Sequence, residues 1–268
     1  KGNGNGKKDH ELVECYRSAS EDLKNSEDAK SKIYEKMELI ENGNKKVLNE
    51  VKDAAKMMLE GMKESLKILG TEAETYFHES DLISSGEVVK VIELLKKSNL
   101  CKEEKGAYYL DLAKESIAGR NQKFFFTREN GLSLYTTRDI AYHIDKFRRF
   151  DRALNILGED HKLQSKLLGI ALRELNSKKP QALFYSFVNL PGGKMSTRAG
   201  RVVYLDDVME QIVKLALEKL SETDLSNVDK EILAEQIGIG ALRYNILKVQ
   251  AEKGFTFNID EALNLQGD

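Results

Sequence analysis

Cysteine and long apolar runs are both scarce in this sequence, and each scarcity excludes a class of protein. The 268 residues include only Cys15 and Cys101, far apart and without metal-ligand spacing, so no disulfide framework and no metal site is expected. We expect both to be buried thiols. No apolar run approaches the roughly 20 residues that a membrane helix needs, and the N-terminus lacks a secretory pattern. These absences predict a cytoplasmic protein with no membrane contact.

The charge is nearly balanced, with a formal net charge of -2. This excludes a generally basic surface for nucleic acid, so any RNA contact must come from a local patch. The best candidate is the basic stretch 146–152, Lys-Phe-Arg-Arg-Phe-Asp-Arg. Its alternative interpretation is the end of a helix, where cations complement the helix dipole.

The first 70 residues are predicted to be helical after a short unstructured start. Residues 1–8 are glycine-rich and contain no apolar side chain, which predicts disorder. Apolar residues then recur at helical spacing through 9–70, with breaks at 25–28 and 42–44 and a stop at Gly70. With 41% hydrophobic residues, the chain can bury one large core or two modest ones.

Beyond Thr71 the pattern alternates between strands and helices. A strand is predicted at Thr75–Phe77, and capping boxes are predicted to open helices at 84–87 and 136–139. A hairpin is predicted around the Asn130-Gly131 turn. Strands at 153–157 and 182–188 enclose a further helix, and this order indicates right-handed crossovers and a parallel sheet.

Polar residues follow these predicted strands, where ligands bind in parallel α/β sheets. They are Glu79, Tyr135, Asp139, His161 and Gln164. Carboxylates accept guanidinium donors bidentately, so two of them beside a tyrosine and a glutamine suit a planar cation. Each residue also has a simpler interpretation as a helix cap, a solvent-facing group or a core tyrosine. Their convergence on one edge favours a pocket whose two carboxylates lie on the same side of the molecule.

A second polar segment follows the last strand, the loop Gly192–Gly200. Its glycines permit close backbone approach, and its lysine, arginine and hydroxyl side chains suit a polyphosphate. The spacing matches neither a Walker A loop nor a dinucleotide fingerprint. The alternative is a solvated hairpin tip.

Four stretches of this sequence resemble the arginyl-tRNA synthetases, which are class I synthetases with a Rossmann-type catalytic domain. They read Tyr-Phe-His-Glu-Ser at 76–80, Leu-Tyr-Thr-Thr-Arg-Asp-Ile-Ala at 134–141, Gly-Glu-Asp-His-Lys-Leu-Gln at 158–164 and Lys-Met-Ser-Thr-Arg-Ala-Gly at 194–200. The second and fourth are the most specific, and the resemblance, of archaeal or bacterial type, runs from about 12 to 266.

The resemblance implies an α/β fold, the second half of a Rossmann-type parallel sheet. Residues 9–70 would be a helical insertion, 71–205 the catalytic half, and 206–268 a helical linker towards an anticodon-binding domain. The family's His-x-Gly-His motif does not occur in the sequence. We therefore expect an internal fragment that lacks half of the ATP site and is inactive in isolation.

The resemblance also implies roles for individual residues. The loop is the counterpart of the class I Lys-Met-Ser-Lys loop, with Thr197 in place of the second lysine. Catalytic roles would fall to Lys194, Ser196, Thr197 and Arg198. Arginine would be bound by Glu79, Tyr135, Asp139 and Gln164. ATP would be bound by His161, Lys194, Met195 and Ser196.

The implied partners are arginine, arginine tRNA and ATP with Mg²⁺, in a parent protein expected to be a monomer. The implied reaction is arginine activation followed by transfer to tRNA. The alternative is a non-catalytic RNA- or protein-binding module derived from a synthetase fold, in which helices 9–70 and the basic stretch make the contacts.

Overall fold

The computed structural model describes residues 6–115, 122–189 and 204–263. The chain forms two compact units. The first unit consists of residues 1–30, 53–74 and 185–268, and the second consists of residues 31–52 and 75–184. None of the described helices is long and apolar enough to cross a membrane.

Three long helices come first, and helices and strands are interspersed along the rest of the described chain. The helices are α1 (Lys8–Asn25), α2 (Glu27–Glu41), α3 (Lys45–Ile68), α4 (Glu79–Ser84), α5 (Glu87–Lys96), α6 (Tyr135–Arg149), α7 (Lys162–Glu174), α8 (Leu205–Leu220), α9 (Asn227–Leu247) and α10 (Ile259–Ala262). The strands are β1 (Cys101–Glu104), β2 (Ala107–Asp111), β3 (Lys123–Phe125), β4 (Leu154–Gly158), β5 (Gln181–Tyr185), β6 (Val188–Asn189) and β7 (Phe255–Thr256).

In the first unit, α8 and α9 pack against each other. Ile212 and Leu242 lie at the centre of their shared core and are almost fully buried. A Cβ atom on Gly238 would lie 3.1 Å from the backbone of Val213, so a small residue allows this close approach. Ser226 caps α9 by accepting a hydrogen bond from the backbone of Asp229.

The core of the second unit lies between a three-stranded antiparallel sheet and helices α4 to α7. β2 is the central strand, pairing with β1 on one side and β3 on the other. Leu95, Leu110, Phe126, Ile140 and Leu172 have no more than trace exposure. This packing fixes α6, and α4 and α7 both pack against it.

Two smaller sheets complete the strand pairing of the described residues. β4 pairs with β5, and β6 runs parallel to β7. After β4, a 3-10 turn at Glu159–His161 leads directly into α7. The carboxyl end of β4 therefore presents the turn that the sequence indicated as a ligand-binding edge.

The helical predictions for residues 9–70 are confirmed by α1, α2 and α3. Gly43 and Gly70 have positive φ angles at the ends of α2 and α3, as the stop signals predicted. The hairpin around Asn130-Gly131 is also confirmed, by the antiparallel bridge between Thr127 and Ser133. Residues 1–5, within the segment predicted to be disordered, lie outside the described residues.

Several local predictions were wrong. Residues 75–77 are not a strand, and Phe77 packs against Tyr142 of α6 with ring centroids 4.5 Å apart. Neither predicted capping box forms, since α5 and α6 begin after Gly86 and Leu134 without side-chain caps. Tyr135 is accordingly the first residue of α6 and does not precede it.

The cysteine prediction was also wrong. Cys15 is exposed and Cys101 only half-buried. Cys101 lies in β1, and burial raises the pKa of its thiol, while nearby Lys96 opposes that shift. The thiols are therefore not core groups, and Cys15 is accessible to metal ions and oxidants.

Candidate functional site

Two buried threonines hold the first turn of α6 in place. The hydroxyl of Thr136 donates to the carbonyl of Phe125 at 2.9 Å, and the hydroxyl of Thr137 donates to the carbonyl of Phe126. Both threonines are buried, and Ile140 on the next turn is fully buried. The start of α6 is thus fixed to the hairpin, and its polar side chains have a defined position.

Asp139 lies one turn into α6 and is held by a buried histidine. His143 Nδ1 lies 2.8 Å from the carbonyl oxygen of Asp139 and 3.1 Å from its Oδ1. On the other side of the ring, Nε2 lies 2.8 Å from Nδ2 of Asn155. The amide donates there, so the network assigns the proton to Nδ1. The Asp139 side chain remains 31% exposed and so is oriented yet accessible.

Lys146 extends this network towards β4. Its ammonium lies 3.3 Å from Asn155 Oδ1 and 4.3 Å from the ring centroid of Tyr142. Burial lowers the pKa of Lys146, opposed by the negative charge of Asp139 and aided by the positive charge of Arg149. A cation therefore lies close to the Asp139 carboxylate.

Glu79 begins α4 and reaches the first turn of α6. Its Oε2 accepts a hydrogen bond from Arg138 Nε at 2.9 Å, and the Glu79 side chain stays 57% exposed. Arg138 also donates to Ser133 Oγ at 3.2 Å. Phe77, which packs on Tyr142, and the buried Leu82 fix the chain on either side of Glu79. Glu79 thus already pairs with one guanidinium.

Three further predicted residues lie around the starts of α6 and α7. Tyr135 is 61% exposed. His161 is half-exposed in the turn after β4 and lies 3.7 Å from Asp160. Gln164 is in the first turn of α7, and its Nε2 is buried without a hydrogen-bond partner among the described residues. A buried amide of this kind would be stabilised by a hydrogen bond to a polar ligand.

The structure therefore brings together part of the predicted set. Tyr135 and Asp139 lie one turn apart on α6, and the ion pair with Arg138 places Glu79 beside that turn. Gln164 follows on α7, which packs against α6. The predicted loop residues Lys194, Met195, Ser196, Thr197 and Arg198 lie outside the described residues.

The basic stretch 146–152 is largely engaged within the second unit. Arg148 contacts Glu87 at 2.7 Å and Arg149 contacts Asp145 at 2.7 Å, while Lys146 faces Asn155. These ion pairs favour its interpretation as the charged end of a helix over that of an RNA-binding patch.

Sequence reasoning missed His143, Asn155 and Arg138 as parts of this arrangement. The i,i+4 spacing of Asp139 and His143 on a predicted helix was an available signal, because such residues share a face. No local pattern indicates Asn155, since β4 brings it to His143 through tertiary packing.

Comparison with solved structures shows that the chain shares its fold with two arginyl-tRNA synthetases. The arginyl-tRNA synthetase of Thermus thermophilus aligns with a TM-score of 0.78 over 100% of this chain and 50% of its own, at 21% identity. That of Plasmodium falciparum aligns with a TM-score of 0.71 over 98% of this chain and 47% of its own, at 17% identity. The predicted Rossmann-type α/β fold class is thereby confirmed.

The family follows from the sequence comparison. Residues 5–259 match the family of class I (R) tRNA synthetases, catalytic domain, and the chain belongs to this family. The arginine–tRNA ligase of Methanocella arvoryzae is 40% identical over 97% of this chain, and that of Methanocaldococcus jannaschii is 38% identical over 97%. The chain spans 46% and 45% of their lengths, so it matches about half of each.

Proposed function

We propose that this chain forms part of the catalytic region of an arginine–tRNA ligase and contains its arginine pocket. One observation carries the proposal: the 2.9 Å contact between Glu79 and Arg138 brings a carboxylate from α4 beside the turn that bears Asp139. These residues are distant in sequence, and the two carboxylates together suit a guanidinium.

In the proposed pocket, Glu79 and Asp139 bind the guanidinium of arginine, and Tyr135 contributes its exposed ring and hydroxyl. His143 orients Asp139 from behind, so the carboxylate is positioned before substrate binds. The unpartnered amide of Gln164 pairs with the α-carboxylate of arginine or, rotated, with its α-amino group. Specificity for arginine then depends on the length of the substrate and on the charges at its two ends.

The proposed reaction is in-line attack of the arginine carboxylate on the α-phosphorus of ATP. It yields arginyl-adenylate and pyrophosphate, after which the arginyl group passes to the 3′ end of tRNA. The proposed ATP-binding residues are His161, Lys194, Met195 and Ser196. Lys194 and Arg198 stabilise charge on the departing pyrophosphate, aided by Ser196 and Thr197. Mg²⁺ accompanying ATP supplies further charge neutralisation. Cytoplasmic location and a monomeric parent stay predictions.

A chimera tests whether this chain supports the activation step. The chain replaces the aligned segment of the Methanocella arvoryzae ligase, which supplies the other half of the length. We expect arginine-dependent exchange of pyrophosphate into ATP. Lys194→Ala should lower the exchange rate by about 10²–10³-fold, as for removal of a charge-stabilising group, and leave arginine affinity unchanged.

Lys253→Ala provides the matched control, because this exposed lysine lies outside the proposed site. A folded chimera without arginine-dependent exchange, or one equally active with Lys194→Ala, would contradict the proposal. An inactive chimera, combined with tRNA binding by this chain on its own, would favour the binding-module alternative.

A further inference from the structure

A second buried polar cluster lies in the first unit, apart from the proposed arginine pocket. Lys7 precedes α1, Asp9 and His10 lie in the first turn of α1, Ser65 lies in α3, and Asp206 lies in α8. Asp9, His10 and Ser65 are each at most 6% exposed. Three elements therefore bring polar or charged groups into a site with little access to water.

Asp206 is the most fully bonded member of this cluster. It accepts hydrogen bonds from Ser65 Oγ at 2.8 Å, from Lys7 Nζ at 3.1 and 3.2 Å, and lies 2.9 Å from His10 Nε2. Although burial alone would raise it, these contacts lower the pKa of Asp206 overall. The His10 ring also stacks on Tyr204 at 3.9 Å. The carboxylate of Asp206 is thus held in place by three neighbouring side chains.

Asp9 and His10 are not satisfied in the same way. Asp9 Oδ1 and His10 Nδ1 are buried and have no hydrogen-bond partner among the described residues. The nearest cation to Asp9 is Lys7, whose ammonium lies 3.9 Å from Oδ2. Two carboxylates, those of Asp9 and Asp206, therefore face one ammonium. A buried polar atom without a partner is costly, so Asp9 Oδ1 and His10 Nδ1 favour an additional ligand at this site.

Gly61 makes room for Asp9. A Cβ atom at this position would lie 2.2 Å from Asp9 Cγ and 2.3 Å from Oδ1. The carboxylate is therefore seated directly against the α3 backbone, where a larger residue could not fit. Its position is built into the packing.

We propose that Asp9, His10 and Asp206 form a binding site for Zn²⁺. Among the described residues, these three form the one set of potential metal ligands whose donor atoms all lie within 4.8 Å of one another. Zinc takes nitrogen and oxygen ligands at about 2.0–2.2 Å, so binding requires the three side chains to close inward. The mixed donor set disfavours Mg²⁺, which prefers oxygen ligands.

Lys7 is the internal competitor for this site. Its ammonium occupies the position of a cation between the carboxylates, donating to Asp206, Ser65 Oγ at 2.7 Å and the Gly61 carbonyl at 3.1 Å. Lys7 lies just before α1 on a long flexible side chain, so it can leave without unwinding a helix. Zinc binding and the Lys7 contacts are therefore mutually exclusive, and removal of Lys7 should tighten zinc binding.

Titration calorimetry with Zn²⁺ on the chelator-treated full chain tests the proposal. All proteins carry Cys15→Ser, because the exposed Cys15 thiol is itself a zinc ligand. We expect one site per chain in the parent protein. Asp9→Asn should weaken binding by about tenfold or more, comparable to the loss of a supporting partner at known metal sites. Lys7→Met should tighten binding by about fivefold, since it removes a like charge nearby. His78→Gln, at an exposed histidine, should change nothing.

Circular dichroism shows whether each variant is folded, and Mg²⁺ should give no heat at the same concentrations. Opposite effects of Asp9→Asn and Lys7→Met would support the site, whatever the state of the arginine pocket. No saturable zinc binding in the folded parent, equal affinity with Asp9→Asn, or weaker binding with Lys7→Met would each overturn it.

Discussion

Two buried histidines, one in each unit, make opposite use of neighbouring aspartates. His143 contacts the backbone and side-chain oxygens of Asp139 through one ring nitrogen and Asn155 through the other. His10 contacts Asp206 through Nε2, but its Nδ1 and the adjacent Asp9 Oδ1 have no hydrogen-bond partner among the described residues. The first arrangement is complete without a ligand, whereas the second is not.

The difference separates positioning from binding. The network around His143 is satisfied internally, so it holds the partly exposed Asp139 ready for a substrate. The cluster around His10 has buried groups without a hydrogen-bond partner among the described residues, which is why we propose a ligand within the cluster itself. Both histidines are buried, so burial does not distinguish the two cases. The hydrogen-bond partners of the two ring nitrogens do.

The largest expected effect comes from deleting the complete network. His143→Ala should lower the free energy of unfolding by about 3 kcal/mol, because it leaves a cavity and unpaired groups on Asn155 and Asp139. His10→Ala in metal-free buffer should cost about half as much, since His10 makes fewer hydrogen bonds. Urea denaturation of both variants measures the difference. Equal losses, or a larger loss for His10→Ala, would remove the distinction between the clusters.

The tight seat of Asp9 provides the next test. Gly61→Ala places a methyl group onto the Asp9 carboxylate and should lower the free energy of unfolding by about 2 kcal/mol. Gly240→Ala is the matched control in α9, where a Cβ atom meets nothing within 4 Å. It should stabilise the protein by about 0.5–1 kcal/mol. Thermal or urea unfolding measures both. An unchanged free energy of unfolding in Gly61→Ala would show that Asp9 is not tightly packed against α3.

Asp139 and Asp9 should differ in their effect on arginine binding. Asp139→Asn should weaken arginine affinity by about tenfold, because it removes a charge-assisted contact to the guanidinium. Asp145→Asn, on the same helix but paired with Arg149, and Asp9→Asn should leave affinity unchanged. Calorimetric titration with arginine measures the affinity of each variant. Equal effects of the Asp139 and Asp145 variants would mean that the helix charge as a whole, rather than the pocket, attracts the ligand.

The smallest effect concerns Glu87, whose charge is fully engaged but near solvent. Hydrogen bonds from Lys90 and Arg148 lower its pKa from the ordinary value of 4.5, against the effect of burial. The unfolded chain therefore binds the proton more readily, so this stabilisation is present above pH 4.5 and is lost as pH falls through the folded-state pKa. Solvent screening keeps it below about 1 kcal/mol. Urea unfolding at pH 3 to 6 should show a shallower loss for Glu87→Gln, and identical slopes would contradict the assignment.

Local sequence patterns predicted α6, α7 and the hairpin beside the candidate pocket, but not α4, which carries Glu79. Helical periodicity marked α6 and α7, and the Asn130-Gly131 turn marked the hairpin, because these structures depend on neighbouring residues. Strand β1 was missed because its Lys-Glu-Glu run lacks alternation and it pairs only as an exposed edge. Residues 75–77 have strand-like composition, but Phe77 packs on a helix instead.

The proposed zinc site could not have been predicted from the spacing of residues in the sequence. His10 and Asp206 are 196 positions apart, and metal-binding motifs are recognisable only when ligands recur at short intervals. The proposed arginine pocket, in contrast, was indicated by the sequence. Glu79, Asp139 and Gln164 were grouped because each follows a predicted strand. Their assignment as substrate-binding residues stays a prediction.

Arginine titration against citrulline tests the central claim most directly. The two ligands share a backbone and chain length, but citrulline lacks the guanidinium charge that Glu79 and Asp139 are proposed to bind. We predict that the chain binds arginine at least about tenfold more tightly than citrulline. Equal affinity for the two ligands, or no binding of arginine by the folded chain, would contradict the account.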